Sequence, residues 1–214
     1  FGGINMLSEK IRYDLDKFIS TAKDEISEYL CSIDTEQLEE AANIIWESCK
    51  NGGHLHVTGI GKPSYVAGYI ASLISSTGTP SVYLHGTEAV HGSCGQLEPG
   101  DVVICISNSG ETEELKATAL AVRKNGCKVI AVTGNPDSWL AKMADAKIIA
   151  GVKNEGGPLN RAPRLSVIVE MLALQCLSVI LQSHRNLTPQ EYVLRHPGGS
   201  LGKLRDNEKE YEER

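Results

Sequence analysis

Asp101-Val-Val-Ile-Cys-Ile106, followed by Ser107-Asn108-Ser109-Gly110-Glu111-Thr112, decides the fold of this chain. The apolar run after Asp101 is the pattern of a strand buried on both faces, and Glu113 to Asn125 carries apolar residues at helical spacing. A turn between them leaves backbone N–H groups unpaired at a helix N-terminus, where donors and dipole both favour an anion. Ser107, Ser109 and Thr112 add hydroxyls at the same place, although an ordinary helix cap needs only one. That combination is a phosphate cradle. Glu111 lies inside it and repels phosphate unless it points at another part of the ligand. An acid or base beside a phosphate grip implies chemistry on a phosphorylated small molecule.

Outward from this stretch, strand and helix patterns alternate. His54–Ile60, Pro80–His85, Cys127–Thr133 and Ala146–Ala150 read as further strands. Pro63–Ser76, with Pro in its first turn, and Ser138–Ala144 read as the helices between them. Two helices precede the alternation: Met6–Leu30, with Leu7, Ile11, Leu15, Phe18 and Ile19 on one face, and Glu36–Asn51, with Thr35 and Gln37 in its cap region. A Gly/Pro loop, 154–163, leads to a long apolar helix from Arg164 to about Ser183, then a short helix over Thr188–Leu194. Five strands alternating with helices predict an α/β fold, a doubly wound parallel sheet with its ligand at the carboxyl ends of the strands. The expected organisation is a pair of N-terminal helices (1–53), a core domain (54–205) and a charged, solvated tail (206–214).

Composition narrows the function. At 214 residues the chain buries a substantial core, and a net charge of −6 argues against nucleic acid as a partner. Six cysteines (31, 49, 94, 105, 127 and 176) show no CxxC or zinc spacing, which fits a reducing, cytoplasmic setting. The most apolar stretch, Ile168–Leu181, is interrupted by Glu170 and Gln175 and reads as too short to span a bilayer. An acidic protein that holds phosphate must concentrate positive charge locally, so Lys62, Arg161 and Arg164 become candidates.

Two more segments belong at the carboxyl edge. Gly59-Ile60-Gly61-Lys62-Pro63-Ser64 allows close backbone approach and supplies a cation, yet it is neither a Walker A motif nor a dinucleotide fingerprint. In His85-Gly86-Thr87-Glu88-Ala89-Val90-His91-Gly92, the histidines and Glu88 lack metalloenzyme spacing and predict no metal site. His54 and His56 read as structural, and the sparse Met and aromatic residues read as core.

Together these segments resemble the sugar isomerase (SIS) domain family, in its arabinose-5-phosphate isomerase branch. The matching pieces are GIGK (59–62), STGTP (76–80), LHGTEAVHG (84–92), DVVICISNSGET (101–112), VIAVTGNPDS (129–138) and HPGGSLGK (196–203). The resemblance implies a five-stranded sheet sandwiched by helices and a homotetramer whose sites form between subunits. It also implies cofactor-free aldose–ketose interconversion of a phosphorylated sugar through a cis-enediol. The residues that match catalytic positions are Lys62, Glu111, Glu155 and His196. Ser107, Ser109 and Thr112 match the phosphate grip, and Gly61, Ser64, His91, Asn108 and Ser166 complete the expected substrate contacts.

The chemistry suits these roles. One carboxylate moves the proton between C1 and C2, a cation or donor stabilises the carbonyl oxygen, and imidazole opens the ring. Glu155 is the expected base, Lys62 and Glu111 polarise and position, and His196 serves ring opening; the two glutamates can trade roles. Three departures stand out. Pro63 replaces the usual Ser, Arg164-Leu165 interrupts a Ser/Thr-rich run, and the chain stops near Arg214 where many relatives continue into paired CBS domains. The rival reading is a phosphosugar-binding sensor, and a purely structural oligomer ranks last because it leaves the SNSGET hydroxyls unexplained.

Overall fold

A computed structural model describes residues 8–209. Five parallel strands form one sheet in the order β2-β1-β3-β4-β5: β1 (Leu55–Gly59), β2 (Ser81–Tyr83), β3 (Val102–Ile106), β4 (Lys128–Thr133) and β5 (Ala146–Ile149). Strand β2 is shorter than the 80–85 expected. Leu84 still donates its N–H to the Val57 carbonyl at 2.9 Å, after which the chain turns away through His85 and Gly86. The helices are α1 (Glu9–Ser32), α2 (Thr35–Lys50), α3 (Lys62–Ser76), α4 (Glu113–Lys124), α5 (Trp139–Met143), α6 (Leu165–Arg185) and α7 (Pro189–Arg195).

Alternation along the buried strands sorts side chains into two cores. Leu55, Val57, Ile104, Ile106, Ile130 and Val132 face α2, α3 and α6. Val103, Cys105, Val129 and Ala131 face α4 and α5, completing a three-layer sandwich. Each fully buried Leu or Ile contributes about 1.5–3 kcal/mol, so Leu174→Ala in the larger core costs about 2–5 kcal/mol. His56 is buried, and its Nε2 meets Asp101 Oδ2 at 2.9 Å, which ties β1 to the start of β3. Burial opposes the Asp101 charge, but the N–H groups of Glu98 and His54 and the His56 ring outweigh it and hold the carboxyl below its usual range. Cys105 is buried and its thiol is pushed up to about 12 by burial, an inert core residue.

Several expectations need correction. Asp34, not Thr35, caps α2, accepting from the N–H groups of Glu36 and Gln37. The Gln37 side chain reaches instead to the β5 backbone, where its Oε1 accepts from Ile149 N at 2.9 Å. The aromatic residues are not all core: Tyr65 is 81% exposed, and Tyr69 and Trp46 are also exposed. Helix α6 outruns the apolar stretch read from sequence, spanning 21 residues, long and apolar enough to cross a bilayer by length and composition. It is nevertheless a core helix, with Leu165, Val169, Leu174 and Leu177 buried against α1, α2 and α3. The tail forms a 3₁₀ turn at Asp206–Glu208, while 210–214 and the predicted start at Met6 and Leu7 lie outside the described residues.

Candidate active site

The chain leaves β1 toward β2 on one side and returns to β3 on the other, so the strand order reverses between β1 and β3. Open parallel sheets bind ligands at the carboxyl end of such a switch. The loop after β1 carries Gly61 at φ +67°, which aims the backbone into α3 with Lys62 as its first residue. Ser64 turns back on this loop, its hydroxyl donating to the Gly61 carbonyl at 2.6 Å. Gly59, Lys62, Ser64, Tyr65, His85 and Thr87 line a cleft of about 390 Å³ at this edge. His85 Nδ1 accepts from Glu88 N at 3.3 Å, which spends its lone pair inside the loop. His91 is exposed on the following 3₁₀ turn. Among the described residues no three His, Cys, Asp or Glu side chains converge on a metal position.

The loop after β3 is built more tightly. Ser107 is buried, its hydroxyl lies 3.1 Å from that of Thr112 and accepts from Gly110 N at 3.1 Å. Gly110 sits at φ +66°, and a Cβ there would meet Ser138 Oγ at 2.2 Å, so only glycine lets this loop seat against α5. Ser109 Oγ accepts from Glu111 N at 3.2 Å. The Asn108 carbonyl accepts from Gly134 N and from the Thr133 hydroxyl, locking the loop to the end of β4, while its side chain is exposed. No side chain caps α4. Thr112 stands at the N-cap position, yet its hydroxyl turns to Ser107, leaving the first N–H groups of the helix open to an anion.

Glu111 faces away from that opening. Its Oε1 accepts from Trp139 N at 2.7 Å and its Oε2 meets Lys116 Nζ at 2.8 Å, so both oxygens brace α4 against α5. The Lys116 ammonium, followed by the Trp139 N–H, holds this carboxyl below its ordinary range.

Glu155 has the opposite surroundings. Its Oε2 accepts from the N–H groups of Arg164, Leu165 and Ser166 at 2.6, 2.9 and 3.2 Å, filling the N-terminus of α6, and all three bonds fall on this one oxygen. Glu25 of α1 fixes the approach to this loop, accepting from Lys153 N and Asn154 Nδ2, each at 2.8 Å. The Arg164 guanidinium lies over Gly157, not over the cradle. Arg185, at the end of α6, lies against Gly78 at the end of α3. The two helices therefore run in parallel, and their starts, Lys62 and Leu165, share the carboxyl edge with Ser107–Thr112.

His196 is not brought there. It caps the end of α7, stacked on Tyr192 at 3.9 Å with Nδ1 facing the Tyr192 carbonyl at 2.8 Å. Its neighbour Arg195 lines a cleft with Ser76 and Pro80, at the far end of α3 from Lys62. Three residues that sequence reasoning passed over lie around these loops: Lys116, which holds Glu111; Glu25, which holds the backbone leading to Glu155; and Glu170, buried on α6. Glu170 could have been found as a lone acid on the buried stripe of an apolar helix; Glu25 stands on the buried side of a mostly polar one.

A family model described as the SIS domain matches residues 49–180. Arabinose 5-phosphate isomerase KpsF of Escherichia coli O6:H1 is 38% identical over 171 residues, 80% of this chain and 51% of its own length. Arabinose 5-phosphate isomerase KdsD of Pseudomonas aeruginosa is 40% identical over 151 residues, 71% of this chain and 46% of its own. The chain thus spans about half the length of the curated relatives it matches. A solved structure from E. coli CFT073, in complex with arabinose 5-phosphate, aligns with a TM-score of 0.78 at 33% identity, covering 89% of this chain and 100% of that one. With the switch-point cradle, the parallel five-stranded sheet and these matches in agreement, the chain belongs to the SIS domain family.

Proposed function

We propose that this protein is a cofactor-free aldose–ketose isomerase acting on a phosphorylated sugar, interconverting arabinose 5-phosphate and ribulose 5-phosphate. The observation that carries the reading is the pairing of an uncapped α4 N-terminus with Glu155 fixed on the α6 N-terminus. The first accepts the phosphate through N–H groups and the Ser107, Ser109 and Thr112 hydroxyls. The second holds a carboxylate with one oxygen, Oε1, left for proton transfer. In the open-chain sugar Glu155 takes the C2 proton while the aldehyde oxygen gains one, giving the cis-enediol; the O2 proton then leaves as C2 becomes the carbonyl, and Glu155, its proton open to exchange with solvent, protonates C1. Lys62, first residue of α3, offers its ammonium to the oxygen that gains charge. Glu111 keeps the cradle's shape from behind, so Glu155 is the base.

His196 enters the same site only from another copy of the chain, given its place beside the far end of α3. A homotetramer supplies that copy. The exposed apolar side chains Ile11, Leu15 and Ile19 of α1 and Tyr65 of α3 are the surfaces such an assembly would cover. Residues 54–205 act as the working unit, with 1–53 as scaffold through Glu25 and Gln37, in a cytoplasmic setting that suits the free thiols.

Incubation with arabinose 5-phosphate in deuterated water, followed by NMR, tests this. Ribulose 5-phosphate with solvent deuterium at C1, together with recovered arabinose 5-phosphate carrying deuterium at C2, is the expected result. Saturable phosphosugar binding without turnover or exchange contradicts it and favours a sensor.

A further inference from the structure

Glu170 lies one turn into α6, fully buried, and neither of its carboxyl oxygens meets a hydrogen-bond partner. Ser166, four residues earlier on the same face, is 1% exposed and its hydroxyl is equally unpartnered. Helical side chains lean toward the helix N-terminus, so Glu170 reaches back over the Ser166 turn toward the end that Glu155 occupies. A carboxylate there meets no donor among the described residues, and it stays neutral by holding its proton. Burial first, and the Glu155 charge second, push its pKa up to about 8. The elements packed on α6 bring their own titratable groups: Glu25 and Tyr29 on α1, Cys49 on α2, and Lys62, Tyr65 and Tyr69 on α3. Both oxygens of Glu25 are engaged by Lys153 and Asn154, and Glu155 is the charge that acts on Glu170.

We propose that Glu170 is a positioning residue for Glu155: a buried carboxylic acid that stays protonated while the protein works, leaving Glu155 the one negative charge at the start of α6. The role deepens the reading of Glu155 as the base and rests on it. An ionised Glu170 would place a second, buried carboxylate charge beside Glu155 at one helix end. Repulsion then lifts Glu155 from the three N–H groups that fix it, or forces a proton onto it, and either event removes the base.

The test compares the full chain with its Glu170→Gln and Glu155→Gln variants. Infrared titration of the wild type should show the carbonyl stretch of a buried carboxylic acid at neutral pH, fading as pH rises through about 8. Glu170→Gln should lack that band. In Glu155→Gln the band should fade at lower pH, because the charge that helps keep Glu170 protonated is gone. Turnover of arabinose 5-phosphate should fall on the same alkaline limb in the wild type, and in Glu170→Gln that limb should move up by about one pH unit or more. A missing band at neutral pH, a band that does not move in Glu155→Gln, or an unshifted limb in Glu170→Gln overturns the proposal. If the wild type turns over no arabinose 5-phosphate, the isomerase reading alone fails, and the infrared titration still decides the role of Glu170. Should Glu170→Gln not fold, the wild-type and Glu155→Gln titrations decide it.

Discussion

The starts of α4 and α6 are built alike and used oppositely. Each follows a loop from the carboxyl edge of the sheet, and each has a glutamate at hand. At α4 the glutamate, Glu111, turns outward to Trp139 and Lys116, and the helix end stays open. At α6 the glutamate, Glu155, turns inward and fills the helix end with its own carboxylate. On the proposed function, one dipole end takes an anion that arrives with the ligand, while the other holds an anion the protein carries itself. A glutamate beside a helix start is therefore not a role. What decides it is whether its oxygens are already satisfied inside the fold.

The contrast breaks most visibly at Glu155. Glu155→Gln keeps the shape but removes the base, and turnover should fall by about 10²–10⁴-fold while phosphosugar affinity stays within about threefold. Steady-state kinetics beside calorimetric binding checks this; near-normal turnover would erase the distinction between the two glutamates.

A brace remote from both helix ends separates stability from function. Asp101→Ala leaves His56 Nε2 and the backbone N–H groups of His54 and Glu98 without their partner, and should destabilise the fold by about 3 kcal/mol while sparing kcat per folded molecule. Its pKa is depressed in the folded state, so its contribution is present above the unfolded carboxylate value near 4 and is lost as pH falls through the lower folded one. Thermal melts across that acid range should show the wild type converging on the variant.

The open end is probed more gently. Ser109→Ala removes one hydroxyl of the phosphate grip and should weaken phosphosugar binding by about tenfold, the worth of one hydrogen bond to a charged group, with kcat little changed. Calorimetry at fixed ionic strength reads the loss. The smallest effect belongs to Glu111→Gln. Its oxygens brace α4 against α5, so kcat/KM should fall by no more than about tenfold, through a raised KM. A loss of kcat equal to that of Glu155→Gln would make Glu111 the base.

How much of this was legible in the sequence depended on whether the signal was local. The five strands, the switch-point loops and the cluster at 107–112 announce themselves through apolar runs and spacing. The cap of α2 did not, because Asp34 and Thr35 are both good cap residues and only the fold shows Gln37 drawn away to Ile149. Glu111 and Glu155 are equivalent on paper, since their partners, Trp139 and the α6 backbone, are fixed by tertiary contact. His196 carries a strong local motif, but its own chain keeps it beside Tyr192 and away from the cradle. Glu170 was visible only as a break in an apolar stretch; its burial and lack of partners belong to the packed helix.

The most direct measurement is an amide NMR titration of the wild-type protein with inorganic phosphate. Saturable shifts at Ser109–Leu115, with the Arg164–Ser166 amides unmoved, are the expected result, because one helix end is open and the other is already filled by Glu155. Shifts at Arg164–Ser166, or equal shifts at both ends, would contradict the account.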